Sequence, residues 1–384
     1  MVRKDSDKLL LAAIVANVLM LAVWAYAALL REVSKDFYYL SAQEDEYIEW
    51  GTFWAFSLAA AVWIVAALAQ RREEGRLPWF LFGLSVFCFA VAMEEISWGQ
   101  RVFGYRPPVY FLENNFQQEL NLHNVVPTDF RKLALKGIIL GYGVVLPLLA
   151  WMAPLRRLLA TAAIVVPPLA LAPAFFATYY FYEDYPWSLS GEWVELMLGL
   201  GFLFAALAAL DRDGVGARIE RARSRPIQVI VVAWATVIAL GVAQASLSRV
   251  LRRANPEMIE TARGELEALK RDFLSGKVRT RCSRHKRLYT FKEQYNQDYL
   301  VQGEFAALTD QGLPDERAQF LLDPWNSPYW IRDRCKSNGS RRVVFVYSFG
   351  PNRRRESSRY EIQGDDVGVV IYDGKKIADI TRGR

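Results

Sequence analysis

Residues 94–124, EEISWGQRVFGYRPPVYFLENNFQQELNLHN, interrupt a chain that otherwise alternates long apolar runs with short charged loops. The stretch opens inside an apolar run, with Glu94 and Glu95 near one end of it. A charged group at membrane depth costs about 2.5 kcal/mol or more and as a rule faces a bundle interior or a wet cavity. The stretch then supplies Ser97, Gln100, Arg101, Asn115, Gln118, Glu119, Asn121, His123 and Asn124. A helix over 113–124 would put Asn115, Glu119 and His123 on one face at i, i+4 and i+8. Holding a membrane bundle together does not require so many hydrogen-bonding side chains, so these residues are the first candidates for chemistry.

Working outward, seven apolar runs reach spanning length: 8–30, 49–69, 77–99, 134–153, 158–181, 191–210 and 226–247. Trp and Tyr at several ends suit interfacial anchoring. Basic loops follow the second run (Arg71, Arg72, Arg76), the fourth (Arg156, Arg157) and the sixth (Arg212, Arg218, Arg221, Arg223, Arg225). Acidic loops follow the first (Glu44, Asp45, Glu46, Glu49) and the fifth (Glu183, Asp184). The positive-inside rule then puts the N-terminus in the cytoplasm and the C-terminal third outside it. The net charge of +6 is spread over these loops and the polar C-terminal third, so it is no nucleic-acid footprint. The first run is too long for a signal peptide and lacks a small-residue cleavage site. Pro167, Pro168 and Pro173 predict a kink in the fifth run. The expected division is a membrane domain over 1–225, with a polar outer loop at 100–132, and an outer domain over 226–384.

That topology gathers the unusual residues at one membrane level. Glu94 and Glu95 end the third run, Glu119 and His123 lie in the outer loop, and Glu192 and Glu195 open the sixth run at i, i+3. Two readings are open. In one, the carboxylates are interfacial, solvated or paired with Arg101 and Arg106, and the polar loop is a folded cap. In the other they form a site, with Glu94, Glu95 and His123 catalytic. Ser97, Gln100, Arg101, Asn121 and Asn124 would then bind substrate, and Glu119, His123, Glu192 and Glu195 would hold a divalent metal. A histidine with carboxylates suits Zn²⁺, Mn²⁺ or Fe²⁺. A metal-bound water beside a carboxylate base would serve hydrolysis or transfer on a lipid or lipid-linked substrate. The run lacks H-E-x-x-H, G-x-S-x-G and any cysteine pair, and Cys88 is an isolated packing residue.

The wording E-E-I-S-W-G-Q-R, followed by Q-x-x-N-L-H-N, resembles a group of uncharacterised bacterial multi-pass membrane proteins, over residues 90–124. Seven runs with a polar cluster are similar in architecture alone to ceramidase-like intramembrane hydrolases, whose several histidines are missing here.

In the C-terminal third, Asn255 and Pro256 read as the start of an amphipathic helix over 257–274. A second helical stretch is expected near 303–310, and strands at Val343–Phe349 and in GDDVGVVIYDG. Asp323-Pro324-Trp325, Pro328-Tyr329, Val346-Tyr347-Ser348-Phe349-Gly350 and Gly364-Asp365-Asp366-Val367 together resemble the C-terminal domain of the major pseudopilin of type II secretion, over about 226–373. The resemblance implies a pilin-like α+β fold with Ca²⁺ held at Asp365 and Asp366. Asn352 replaces a frequent Asp, and Arg353–Arg355 add positive charge. The chain departs further in having no prepilin-peptidase site before 226 and six runs ahead of it. A fixed outer module rather than a pilus subunit is the expectation. Cys282 and Cys335 form an even pair in an oxidising compartment, which predicts a disulfide. His285, in the basic run from Lys277 to Arg287, reads as solvated.

The expected molecule is a polytopic α-helical membrane protein of about seven spans, in a bacterial inner membrane, carrying an extracytoplasmic pilin-like α+β domain. Two functions compete: a metal-dependent intramembrane hydrolase or transferase, and a non-catalytic envelope receptor or assembly factor whose outer domain binds an envelope protein. A proton-coupled transporter ranks last, because the carboxylates lie at one face and no inverted repeat is visible.

Overall fold

The structure, a computed structural model, describes residues 2–42, 46–115, 117–184, 187, 189–212, 255–280, 282, 284–289, 301–303, 305–336 and 339–374. The seventh apolar run (226–247), the basic loop at 213–225, Glu44, Asp45 and the Arg101 side chain lie outside the described residues. Two compact units emerge. The described part of one is 2–98 with 126–212; of the other, 99–125 with 255–374.

The first unit is helical: α1 (Val2–Val33), α2 (Lys35–Ser41), α3 (Tyr47–Glu74) and α4 (Trp79–Glu95). In the second unit come two short helices, α5 (Gln100–Phe103) and α6 (Val109–Asn114). Back in the first, α7 (Thr128–Lys136) runs through a π-helical segment, Gly137–Val145, into α8 (Leu146–Leu149). Then follow α9 (Ala153–Thr161), α10 (Ala172–Asp184) and α11 (Ser190–Arg212). Among the described residues, four stretches are long and apolar enough to cross a membrane: Ile14–Val33, Tyr47–Arg72, Thr128–Leu149 and Ser190–Ala209. Helix α3 packs along both α4 and α11. Trp63, Trp193, Phe56, Phe175 and Phe202 fill the core. A Cβ at Gly143 would fall 2.2 Å from the Phe175 ring, and one at Gly201 2.7 Å from it, so α10 reaches its neighbours only because both residues lack side chains.

Two of the expected spans are shorter than their apolar runs. Helix α4 has 17 residues, about 26 Å at 1.5 Å per residue, against a hydrocarbon core of about 30 Å. It ends because Ser97, Trp98 and Gly99 all adopt left-handed φ (47°, 53° and 84°). The run at 158–181 is not one helix. It breaks after α9 at Ala163 (φ 52°), and Pro167 and Pro168 cannot donate to a continuing ladder. Asn17 of α1 bridges the break: its Nδ2 donates to the Ala170 carbonyl, and its Oδ1 accepts from the Ala174 N–H at 2.9 Å. A side chain thus satisfies backbone groups at the start of α10 that the helix's own ladder leaves open.

The second unit holds α12 (Pro256–Leu274), β1 (Val278–Thr280), β2 (Arg284–Arg287), β3 (Val301–Gly303), α13 (Asp315–Gln319), β4 (Trp330–Cys335), β5 (Arg342–Ser348) and β6 (Val367–Gly374). The helical stretch expected near 303–310 is instead β3, a turn and a 3₁₀ turn at Thr309–Gln311. The start of α12 follows the sequence: Asn255 Oδ1 accepts from the Met258 N–H at 3.3 Å, with Pro256 in the first turn. Strands β1 and β3 pair antiparallel; β2, β4, β5 and β6 form an antiparallel sheet in the order β2-β4-β5-β6. Leu266, Leu269 and Phe273 of α12 pack on Ile331, Val344 and Val346, which alternate along β4 and β5. Within the helix, Glu265 is 1% exposed yet bonds Arg317 twice (2.6 and 2.7 Å) and the Tyr329 hydroxyl (2.6 Å). The Cys282–Cys335 disulfide is present, its Cα atoms 5.7 Å apart.

Candidate functional site

The helical unit gathers carboxylates at one end. Glu94 and Glu95 lie in the last turn of α4, Glu49 in the first turn of α3 and Glu192 in the first turn of α11, one turn before Glu195. Glu95 is half-buried and within electrostatic range of Glu195, Glu49, Glu192 and Glu94. Carboxylates this close need a cation, a guanidinium group or a shared proton among them. Glu94 accepts a hydrogen bond from Trp98 Nε1 at 2.6 Å. Glu49 was legible only as part of an acidic loop; its place at the start of an apolar run was the signal. Ser97 is buried.

Glu119 and His123 belong to the other unit, and the residues around them are not helical. Helix α6 stops at Asn114, Asn115 turns extended (ψ 120°) and Gln118 takes a φ of 57°. The i, i+4, i+8 face over 113–124 therefore does not exist. Asn115, fully buried, is the hub instead. Its Nδ2 donates to the Glu119 carbonyl (2.7 Å) and Asn121 Oδ1 (2.7 Å), and its Oδ1 accepts from the Gln117 N–H (2.8 Å). Gln100 Oε1 accepts from the Leu120 N–H at 2.7 Å, and Asn124 Nδ2 donates to Gln117 Oε1. His123 is half-buried.

This segment is built into the C-terminal domain. Gln118 Nε2 donates to the Phe320 carbonyl at 3.0 Å, and Arg353 Nη1 to the Gln100 carbonyl at 3.3 Å. Leu112 packs with Phe320 and Leu322. Arg106 lies 3.8 Å from Glu316. Glu119 faces Arg287 of β2 at 3.8 Å, both side chains about nine-tenths buried.

Among the described residues, the His, Cys, Asp or Glu groups close enough to share an ion are Cys282, Asp333 and Cys335, whose ligand atoms lie within 4.8 Å. The sulfurs are joined to each other, so neither is a thiolate, and the Asp333 carboxylate is held by Arg342 and Thr280. The loop expected to hold calcium is closed on itself. Asp366 Oδ2 accepts from the Glu356 and Ser357 N–H groups (3.2 and 2.8 Å), and Asp365 Oδ2 accepts from Asn352 Nδ2 (3.2 Å). Asp366 Oδ1 is buried without a hydrogen bond, but one such oxygen is far from the six to eight that Ca²⁺ takes. Burial pushes the Asp366 carboxyl up to about 6.

His285 is not solvated. It stacks on Trp330 (ring centroids 4.5 Å) and touches the Tyr347 hydroxyl through Nε2. Burial, then the charges of Arg332, Arg355, Arg334 and Arg287, hold it well below the ordinary histidine range. The charge run around His285 hid this, because a short basic strand on one sheet face looks like a solvated loop in one dimension.

No family model, no curated protein and no solved structure matches this chain.

Proposed function

We propose that this is a seven-span inner-membrane protein whose C-terminal domain is an extracytoplasmic, pilin-like binding module, acting as an envelope receptor or assembly factor. The observation that carries this reading is the use made of residues 99–125. Several of the polar side chains that stood as substrate and metal candidates there are engaged in bonds within the unit that holds the C-terminal domain: Asn121 with Asn115, Gln100 with Leu120, Glu119 with Arg287. Polar density at a sheet-bearing domain, expected on the side of the membrane opposite the arginine-rich loops, supports recognition over catalysis. The order of helix α12 and an antiparallel sheet supports the likeness to the major pseudopilin of type II secretion.

A second reading rests on Glu95 and its neighbours Glu49, Glu94, Glu192 and Glu195. It is a metal-dependent hydrolase or transferase acting at the outer leaflet on a lipid or lipid-linked substrate. One measurement tests the orientation that both readings share, and a second separates them. A periplasm-active reporter fused after Arg384 is expected to be on, and one fused within 213–225 off; the reverse pattern removes the receptor topology. Metal analysis of detergent-purified protein is expected to find no stoichiometric Zn, Mn or Fe. A full equivalent of metal that Glu95→Gln abolishes would replace the receptor with the enzyme.

A further inference from the structure

One face of the four-stranded sheet carries α12; the other carries an arginine-rich cluster of which the proposed function uses only Arg287, paired with Glu119. Register places His285 beside Arg332, and Arg332 beside Phe345, on three adjacent strands. Side chains alternate along a strand, so Trp330, Arg332 and Arg334 share this face with His285, Arg287, Phe345 and Tyr347. Arg355 joins them from the loop between β5 and β6, with Nη1 3.5 Å from His285 Nδ1.

The hydrogen-bond directions are determined by chemistry. A guanidinium group only donates, so His285 Nδ1 accepts and the ring hydrogen sits on Nε2. That hydrogen is given to the Tyr347 oxygen, which also receives Arg332 Nη2 at 3.5 Å. Both lone pairs of the phenol are then engaged, and among the described residues its own hydrogen has no acceptor. Arg332 is in the same condition. It is 3% exposed, its Nε has no hydrogen-bond partner, and the long bond to Tyr347 is its sole hydrogen bond among the described residues. Asp366 lies within electrostatic reach of Arg355 and Tyr347, but among the described residues it makes no ion pair with Arg355 or Arg332. A buried cation with no counter-charge is strongly unfavourable unless something anionic completes it.

We propose that this sheet face binds a phosphate group at Arg332, Tyr347 and Arg355. Donors from β4, β5 and the following loop approach from three elements. That suits a tetrahedral oxyanion with several oxygens better than a planar carboxylate, which one arginine fork satisfies. Arg334, Arg355 and His285 are half-buried, so the cluster is not sealed from solvent. Neutral His285 serves as a positioning residue that aims Tyr347, and adds no charge. The phosphate could be free or on a lipid headgroup, and the inference does not depend on which side of the membrane the domain occupies.

The test is calorimetric titration of the detergent-purified full chain with two probes, inorganic phosphate and short-chain phosphatidic acid. Binding of phosphate identifies a soluble source, and binding of phosphatidic acid alone a headgroup; either supports the site. Arg332→Leu and Arg355→Gln are each expected to weaken binding at least ~10-fold. The thermal midpoint of Arg332→Leu is expected to stay level or rise, because an uncompensated charge has been removed. Should Arg332→Leu fail to fold, Arg355→Gln alone decides. Binding that survives the substitutions overturns the proposal, as does no binding of either probe up to about 10 mM.

Discussion

Arg342 and Arg332 sit on adjacent strands of one sheet, each 3% exposed, and their surroundings are opposite. On the face that packs against α12, Arg342 grips Asp333 with two bonds (3.0 and 2.7 Å) and gives a third to the Thr280 carbonyl (3.2 Å). On the other face Arg332 has one bond at 3.5 Å, to a phenol. The first arrangement is a closed ion pair inside a core, with the disulfide beside it. The second leaves donor capacity unspent at a cost that folding gains nothing from. The contrast is between a closed ion pair on one face of the sheet and unspent donor capacity on the other, where we place the proposed phosphate site.

The sharpest way to break the comparison is at its closed side. Asp333→Ala strips Arg342 of its counter-charge and is expected to destabilise the C-terminal domain by about 3–5 kcal/mol, read from a protease-resistance or thermal midpoint. A neutral outcome would mean that burial alone does not distinguish the two arginines. The disulfide ranks next. Its span of 53 residues should contribute about 4 kcal/mol in the chain-entropy model, so a Cys282→Ala, Cys335→Ala double variant should melt far earlier than the parent. Thiol labelling of unreduced, denatured protein should modify Cys88 alone; three labelled thiols would remove the bond.

Acid dependence gives a smaller effect. Asp323 is fully buried, and burial pushes it up to about 6 despite bonds from Ser348 and from the Ser327 and Trp325 N–H groups, and despite the charge of Arg353. A carboxyl raised in the fold favours the neutral form. Its contribution is complete below the unfolded value near 4 and lost as pH rises through about 6. Asp366 acts with the same sign. Between pH 4 and 7 the loss from Asp323 is on the order of 3 kcal/mol. Asp323→Asn, which can still accept the two backbone bonds, should flatten that part of the pH profile; identical slopes for the two proteins would refute it. Smallest is Glu119→Gln, which weakens a 3.8 Å pair whose arginine also lies 4.6 Å over the Trp330 ring. A loss of about 1–2 kcal/mol is expected, and it should appear in the C-terminal domain's transition. No effect there would separate residues 99–125 from that domain's stability.

Much was legible in one dimension. The apolar runs located the long helices, Asn255-Pro256 marked the start of α12, alternation located β5, and a cysteine pair in the C-terminal third became a disulfide. The helix boundaries at membrane depth were less so. Hydropathy continues past Ile164 while two prolines stop the backbone, and α4 ends at Glu95 through a left-handed turn that composition does not encode. In the helical unit, the charges of Glu94, Glu95, Glu192 and Glu195 were visible as anomalies, and Glu49 joined them only in three dimensions.

By itself, then, the sequence determined the division into apolar helices and a polar, disulfide-bearing C-terminal region, because period, length and hydropathy are local properties that each segment carries alone. Which polar residues meet was decided by tertiary structure. Residues 99–125 fold with a domain that begins some 130 positions later, and Glu119 finds Arg287 across that gap. His285 looked solvated in a basic run, yet register with β4 and β5 set it between Trp330 and Tyr347 and aligned it with Arg332. A side chain's partner depends on which strand pairs with which and in what register, and no local pattern in the chain specifies either.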